Sequence, residues 1–192
     1  MQYFTKIADG ADTVPLLLAL QRQPELFGRH NERKQAVGGP HSDMTDIWIR
    51  HNDRRPYEAA GDFSEFNDEH DSVWYPEADK LPEVMPLCFG VMSLVRGERL
   101  GGVLITKIPP GGGIAPHIDR GWHAEYYDKY MVHLKAEPGV AFGFPDAVMT
   151  PRTGEVWWFR NDITHWIRND SADERIVMII SIRHSKGALW SL

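Results

Sequence analysis

The sequence predicts a mainly β fold, namely a sandwich or a cupin-like jelly roll, with supporting N-terminal helices. From residue 100 onward, short runs rich in β-branched and aromatic residues alternate with Gly, Pro and Asp turns, a texture typical of sandwiches and jelly rolls. The length of 192 residues and the hydrophobic content of 42% fit one domain with a sizeable core. We therefore expect residues 1–192 to form a single domain.

The N-terminal part, residues 1–99, is expected to give helical support and to extend the sheet. Thr13 is a candidate N-cap residue ahead of Pro15, an arrangement typical of a helix start. Pro86 lies in an apolar stretch of helical periodicity and is expected to bend or shorten that helix. The predicted segments are a helix at 13–27, a strand at 46–50, a long polar and aromatic segment at 52–75 that is a candidate cover for a site, and a helix at 81–95.

The second part, residues 100–184, is expected to form the jelly-roll core that carries the site. Its apolar runs are short and end at turn residues, and the run that begins at Arg175 reads as a long buried strand. The predicted strands are 103–108, 114–119, 130–135, 140–144, 155–159 and 175–182.

Composition and charge argue against several classes of function. The formal net charge of −6 disfavours nucleic acid as a partner, because general binding to phosphates needs a basic face. Cys88 is the single cysteine, so no intramolecular disulfide can form, and a core position in a reducing cytoplasm is the simpler expectation. The first residues lack the layout of a secretion signal, and no apolar run approaches the roughly 20 residues of a membrane span. We therefore expect a soluble cytoplasmic protein without a membrane partner.

The most informative motif is His117-Ile118-Asp119, with His165 further along the chain. Side chains alternate along a strand, so His117 and Asp119 would point from one face. A histidine from a distant strand would complete two imidazoles and one carboxylate on one side of a metal ion, an arrangement that leaves coordination positions open on non-haem Fe(II). The motif therefore predicts a metal centre that performs chemistry.

Other interpretations of these residues stay open at this point. His123 could join His117 and Asp119 in a local metal site, although a strand and a loop bring this spacing together only through a specific turn. If the three residues fail to converge, they are ordinary polar positions in a structural or interaction module. The other histidines lie in polar surroundings and are expected to be solvated rather than to bind metal: His30, His41, His51, His70 and His184.

Several short pieces of the sequence occur in a characteristic order. The pieces are Ile108-Pro109-Pro110-Gly111 ahead of His117, Val132-His133-Leu134 with Pro138-Gly139-Val140, Gly154-Glu155-Val156-Trp157 with Asn161, and His165 with Arg175. In this order and spacing, residues 105–183 resemble the aspartyl/asparaginyl β-hydroxylase family of Fe(II)- and 2-oxoglutarate-dependent dioxygenases. Residues 41–50 also look like the family's early segment of His, Thr, an apolar strand and Arg.

The resemblance implies a double-stranded β-helix that binds Fe(II), the cosubstrate 2-oxoglutarate and O₂. It assigns the iron to His117 and His165, and the far carboxylate of 2-oxoglutarate to Arg175. A guanidinium suits that task because it gives two parallel charge-assisted hydrogen bonds to one carboxylate. His133 matches a family histidine that helps to hold 2-oxoglutarate. The plainer alternatives are a surface charge for Arg175 and a hydrogen-bonded core residue for His133.

The chain departs from the family pattern at two positions. Some members use two histidines alone, whereas Asp119 restores the full triad of the wider dioxygenase class and is expected to bind iron. Met131 stands where the family often has an arginine, so one carboxylate partner is missing. The polar and aromatic loop at 120–129 is expected to shape substrate choice through Trp122 and His123, and Arg50 is a third candidate for substrate contact.

The resemblance implies hydroxylation of an unactivated C–H bond. The expected position is Cβ of an aspartyl or asparaginyl residue in a protein or peptide, or of a related amino-acid-like small molecule. The alternative is a metal-binding, cupin-like protein that uses the same triad for Zn or Mn and is not an oxygenase. The oligomeric state is left open.

Overall fold

The computed structural model describes residues 2–184, which form eleven strands and six α-helices. The strands are β1 (Phe4–Ala8), β2 (Thr45–His51), β3 (Val73–Trp74), β4 (Arg99–Ile108), β5 (Gly113–His117), β6 (Asp128–Lys135), β7 (Val140–Gly143), β8 (Val148–Met149), β9 (Val156–Phe159), β10 (His165–Asn169) and β11 (Arg175–Arg183). The helices are α1 (Val14–Arg22), α2 (Glu32–Gln35), α3 (Arg55–Ala60), α4 (Glu77–Lys80), α5 (Val84–Leu94) and α6 (Trp122–Tyr126).

The strands form two antiparallel sheets that pack face to face. The major sheet has the order β1-β9-β6-β11-β4-β2-β3, and the minor sheet has the order β5-β10-β7-β8. Between the sheets lies an apolar cluster that includes Met131 of the major sheet and Phe142 of the minor sheet. The prediction of a mainly β, cupin-like jelly roll is therefore confirmed, and the two-sheet arrangement is that of the double-stranded β-helix.

Alternation along β6 decides which side chains reach the site. Tyr130, Val132 and Leu134 belong to a second cluster, on the outer face of the major sheet, together with apolar residues of α1 and α5. Met131 and His133 point the other way, toward the minor sheet, because successive residues of a strand face opposite sides. Burial of apolar residues on both faces thus fixes the register that turns the polar residues of β6 inward.

The helices agree with the predictions in position and differ in their ends. The helix predicted at 13–27 ends at Arg22 and is followed by a 3₁₀ turn over Pro24–Leu26, and Thr13 makes no side-chain capping bond. The helix predicted at 81–95 begins only at Val84. Pro86 therefore lies in its first turn, where an amide hydrogen is not needed.

Three further differences concern the strands. The strand predicted at 114–119 ends at His117, so Asp119 lies in the following loop rather than on the same strand. The segment predicted as irregular, 52–75, contains the short helix α3 and the short strand β3. Three strands lie outside the predicted segments, and one of them, β10, carries His165: β1, β8 and β10.

Membrane insertion was not expected from the sequence. Among the helices of residues 2–184, none is long and apolar enough to cross a bilayer.

Candidate metal centre and its cavity

Two neighbouring strands of the minor sheet bring His117 and His165 together. The two residues are direct partners in the β5–β10 ladder, and their ring centroids lie 4.3 Å apart. Asp119 follows two residues after the end of β5 and turns back toward both rings. One possible donor atom from each of His117, Asp119 and His165 lies within 4.8 Å of the others, so the three side chains can reach one ion.

Backbone carbonyls fix the orientation of both imidazoles. The Nδ1 atom of His117 lies 2.9 Å from the Ala115 carbonyl oxygen, and that of His165 lies 2.8 Å from the Ile163 carbonyl oxygen. A carbonyl only accepts, so Nδ1 carries the proton in each ring and Nε2 keeps its lone pair. These Nε2 atoms lie 3.5 Å and 4.0 Å from Oδ1 of Asp119. Three electron-pair donors therefore point at one place.

Asp119 is held by its loop and stays ionised. Its backbone N–H donates to the Asn161 carbonyl at 3.0 Å, and the Asn161 side chain donates to the Ala124 carbonyl at 2.8 Å. Burial alone would raise the pKa of Asp119, but the adjacent His117 ring and the charge of Lys129 outweigh it and lower the pKa to about 2. Burial lowers the pKa of His165. An anionic carboxylate beside neutral imidazoles is the donor set that a divalent metal ion requires.

A cavity of about 250 Å³ opens over the three residues. Its wall is apolar around Phe142 and Ile167, and it also contains Arg175. Polar residues make up the rest of the lining, including His51, Asp68, His70, His123 and Lys129. The metal centre therefore has one apolar neighbourhood and one polar neighbourhood.

Arg175 is a buried cation with unmet hydrogen-bonding capacity. Only 1% of the residue is exposed, and its Nη2 donates to the sulfur of Met131 at 3.9 Å. Its Nε and Nη1 have no partner among the described residues. Burial lowers its pKa only to about 10, so the guanidinium stays charged. An uncompensated buried charge is costly, and a carboxylate bound in the cavity would satisfy it.

His133 is the second unsatisfied polar group near Arg175. It is completely buried, and neither ring nitrogen has a partner within residues 2–184. Burial and the charge of Arg175 lower its pKa well below the usual value, so the ring is neutral and can donate one hydrogen bond. His133 does not line the cavity surface itself. Together, these orphaned donors fit the far carboxylate of 2-oxoglutarate, and the triad fits Fe(II).

The three predicted substrate contacts occupy different places. His123 lines the cavity, and its Nε2 accepts the Gly102 N–H at 3.3 Å. Trp122 stacks on Tyr126 with ring centroids 4.6 Å apart and does not line the cavity. The guanidinium of Arg50 lies over the Trp74 ring, 5.0 Å from its centroid, and it is also outside the lining. The structure therefore places His123 in the cavity lining and Trp122 and Arg50 outside it, and substrate contact stays a prediction for all three.

The five further histidines, expected to be solvated rather than to bind metal, are partly buried, and among the described residues none belongs to the metal-binding group. His41, His51 and His70 line the cavity, His30 stacks on Trp48 with ring centroids 4.8 Å apart, and the ring of His184 lies 2.8 Å from the Tyr130 hydroxyl. Burial lowers the pKa of both His41 and His51 to about 3. Alternation along the predicted strand could not have placed His51, because Ile47 and Ile49 at the same parity pack in the outer cluster. An irregular register between Trp48 and Arg50 turns His51 toward the cavity, and His41 lies ahead of the strand.

Sequence reasoning also missed Arg33 and Lys129. Arg33 donates to Oδ2 of Asp46 and to Nε2 of His41, each at 3.0 Å. Lys129 had been placed in a polar loop, but it lies on β6 and lines the cavity. Arg33 lies in the short helix α2. Charged residues give no apolar signal in either element, which is why neither residue could be recognised.

Several solved structures of similar fold are hydroxylases. A prolyl hydroxylase from Trichoplax adhaerens, in complex with a peptide fragment of the hypoxia inducible factor oxygen degradation domain, matches with a TM-score of 0.62 and 13% identity, over 98% of this chain and 87% of that one. The viral collagen prolyl hydroxylase of Paramecium Bursaria Chlorella virus-1 gives a TM-score of 0.56 and 14% identity, over 96% and 97%. A Pseudomonas putida prolyl-4-hydroxylase gives 0.51 and 16%, over 97% and 95%. At these identities the likeness establishes the fold.

The sequence comparison identifies the family. No curated protein matches the chain in sequence. The profile of the family described as Aspartyl/Asparaginyl beta-hydroxylase matches residues 66–185, which is more than half of the chain and includes His117, Asp119 and His165. The resemblance seen in the sequence is therefore confirmed, and the alternative of a metal-binding jelly roll that is not an oxygenase loses its support. This chain belongs to the Aspartyl/Asparaginyl beta-hydroxylase family and is an Fe(II)- and 2-oxoglutarate-dependent hydroxylase.

Proposed function

We propose that this enzyme hydroxylates Cβ of an aspartyl or asparaginyl residue in a protein or peptide, or of a related amino acid. The observation that carries the proposal is the convergence of His117, Asp119 and His165 within one cavity, in a chain of this family. A peptide substrate is supported by the fold as well, because the similarly folded Trichoplax adhaerens enzyme holds a peptide.

In this proposal the triad binds iron and two buried groups bind the cosubstrate. His117, Asp119 and His165 would hold Fe(II), and Arg175 with His133 would hold the far carboxylate of 2-oxoglutarate. When bound, iron with 2-oxoglutarate and O₂ supplies the oxidation of an unactivated C–H bond, with succinate and CO₂ as co-products.

The chain's own residues supply orientation and a dry environment. The backbone carbonyls behind His117 and His165 keep Nε2 of each ring free for the ion, and Phe142 with Ile167 excludes water from one side. Low polarity in that part strengthens the pairing of a carboxylate with Arg175. We propose that residues 100–184 form the catalytic core. Residues 1–99 would extend the sheet and complete the polar wall through residues such as His51 and Asp68.

The first test is thermal denaturation without oxygen, in the presence of Mn(II), with and without 2-oxoglutarate. A ligand that binds only the folded state must raise its stability, so we expect a rise with Mn(II) and a further rise with 2-oxoglutarate. If Mn(II) raises the melting temperature and 2-oxoglutarate adds nothing, the proposed cosubstrate site is contradicted. If Mn(II) does not raise it either, the metal centre is contradicted.

The substrate is tested with Fe(II), 2-oxoglutarate and O₂ on a library of peptides that contain aspartate or asparagine. We expect the gain of one oxygen atom at Cβ, measured by mass spectrometry with fragmentation, in step with succinate formation. Oxygen incorporated only at other residues would contradict the aspartyl or asparaginyl assignment while leaving the hydroxylase chemistry intact.

A further inference from the structure

Lys129 lies on the same inner face of β6 as Met131 and His133. Alternation along the strand puts every second residue on this face, and Lys129 is the residue of this row nearest the polar end of the cavity. Its Cα lies opposite Ser181 of β11 and Phe159 of β9. The side chain therefore reaches the cavity from the middle of the major sheet, at some distance along β11 from Arg175.

The ammonium group of Lys129 has fewer partners than it needs. It donates to Oγ of Ser181 at 2.8 Å and lies 3.2 Å from Nδ1 of His123. Nε2 of the same ring accepts the Gly102 N–H. A neutral imidazole has one acceptor nitrogen, so His123 cannot accept from both groups. Lys129 also forms no ion pair with a carboxylate among residues 2–184.

The two other cavity cations that are shielded from solvent have counter-charges, whereas Arg120 is exposed. Arg33 is paired with Asp46, and Arg175 is assigned to the cosubstrate in the function proposed above. A divalent ion, the charges of Asp119 and Arg175, and the two carboxylates of 2-oxoglutarate together give a neutral site. Asp68 also lines the cavity, but it is exposed and accepts from the His123 backbone N–H instead of pairing with Lys129. Lys129 then remains as a positive charge without an ion pair, and such a charge favours an anion beside it.

Neighbouring polar atoms point to the same conclusion. Nδ1 of His51 and Nδ1 of His70 are buried without a partner among the described residues, and both rings line the cavity. The His70 ring is stacked on His123 with centroids 5.4 Å apart. This polar end therefore offers several unused hydrogen-bonding atoms around one ammonium group, whereas the end near Phe142 is apolar.

We propose that Lys129 binds a carboxylate of the substrate, so that the enzyme acts on an acidic group, an aspartyl side chain in preference to an asparaginyl one. The proposal rests on the function proposed above and narrows it. A carboxylate would accept a charge-assisted hydrogen bond from the ammonium, and such bonds are about twice as strong as those to a neutral group. An asparaginyl amide offers the ammonium only a neutral carbonyl.

The test uses two probes of nearly equal shape, N-acetyl-L-aspartate α-amide and N-acetyl-L-asparagine α-amide. Their binding is measured by calorimetry without oxygen, on protein loaded with Mn(II) and 2-oxoglutarate. We expect the aspartate probe to bind the wild type more tightly, and Lys129→Met to weaken it by about tenfold to a hundredfold. Lys129→Arg, which keeps the charge, should retain most of the preference.

Lys135→Met is the matched control, because Lys135 lies on the same strand but pairs with Asp173 outside the cavity, at 2.7 Å. Lys135→Met should leave the binding affinity of both probes unchanged. Equal binding of the two probes, or no binding of either, overturns the proposal. A Lys129→Met protein that needs more 2-oxoglutarate also overturns it and assigns Lys129 to the cosubstrate. The proposed function itself fails by a different result: the wild-type protein would not bind Mn(II) and 2-oxoglutarate.

Discussion

His117 and His165 are opposite each other in the β5–β10 ladder, and each ring is anchored through Nδ1 to the carbonyl of the residue two positions earlier. This repeated local geometry turns both Nε2 atoms toward Asp119. Because the sheet rather than a flexible loop sets the separation of the two imidazoles, the site is organised before an ion binds. Loss of one ring should therefore remove ion binding without disturbing the fold.

His165→Ala is expected to abolish the stabilisation by Mn(II). The remaining His117 and Asp119 supply two donors, too few for tight binding of a divalent ion. The measurement is the shift in melting temperature on adding Mn(II), compared with Thr164→Ala, an exposed neighbour that should keep the shift. If the shift survives in His165→Ala and disappears in His123→Ala, the third ligand is His123 instead.

Arg175→Met should raise the 2-oxoglutarate concentration needed for half-saturation by about tenfold to a hundredfold, because it removes a charge-assisted pair. Mn(II) binding should be unchanged. The variant without ligand should be at least as stable as the wild type, since an unpaired buried guanidinium is replaced by an apolar chain. Titration by calorimetry measures the first effect, with the exposed Arg168→Met as control. Normal affinity for 2-oxoglutarate would remove Arg175 from the site.

Asn161→Ala is expected to weaken Mn(II) binding by about tenfold, the lower end of the range for groups that orient metal ligands. The Asn161 side chain donates a hydrogen bond to the Ala124 carbonyl, and the Asn161 backbone carbonyl accepts one from the Asp119 N–H. Without the side-chain bond, the loop that carries Asp119 should become less ordered. Asp162→Ala, at the exposed next position, serves as control. Unchanged metal affinity in Asn161→Ala would show that the backbone alone holds Asp119.

Asn169→Ala should destabilise the fold by about 2 to 4 kcal/mol. Asn169 is fully buried, donates to the carbonyls of Ile108 and Asp173, and accepts from the Ser171 hydroxyl. Its loss removes these three hydrogen bonds just ahead of Arg175, although the Ser171 hydroxyl and the Asp173 carbonyl keep a bond to each other. Urea denaturation measures the free energy of unfolding, with the exposed Asp170→Ala expected to change it little. A change below about 0.5 kcal/mol would mean that water replaces the lost bonds.

Strands could be recognised from the sequence where their buried positions carry hydrophobic side chains. The long apolar run at 175–182 could be recognised as β11, and the apolar runs before it as strands, because their buried positions are hydrophobic. In β10 the buried positions include His165 and Asn169, so apolar alternation is absent and the strand was missed. The one proposed metal ligand in this strand, His165, was found only through its chemical type.

Polar cavity residues were harder to recognise for the same reason. His51 and Lys129 are adjacent to charged residues in sequence, and a local reading places them in water. The packing of β2 and β6 in one sheet turns them inward, which is a property of the fold rather than of the neighbouring residues. The loop at 120–129 was likewise read as one unit, although α6 and the start of β6 divide it.

The last prediction concerns the cost of burying Lys129. Burial lowers its pKa from 10.5 to about 8 in the folded protein, although Asp119 and Asp68 act in the opposite direction. Below pH 8 the amine is protonated in both the folded and the unfolded state, so the full cost of burying the charge is present. Between pH 8 and 10.5 the unfolded state binds more protons, and the contribution of Lys129 to stability therefore rises with pH.

Lys129→Met removes this cost, so the ligand-free variant should be more stable than the wild type at neutral pH. The difference should narrow as the pH rises from 8 toward 10.5. Urea denaturation at several pH values measures it, and comparison of two proteins that differ at one position cancels the titration of all groups not coupled to Lys129. For Lys135→Met, the difference from the wild type in the free energy of unfolding should not become smaller between pH 8 and 10.5. A stability difference for Lys129→Met that does not depend on pH would mean that Lys129 keeps its ordinary pKa and is not desolvated in the cavity.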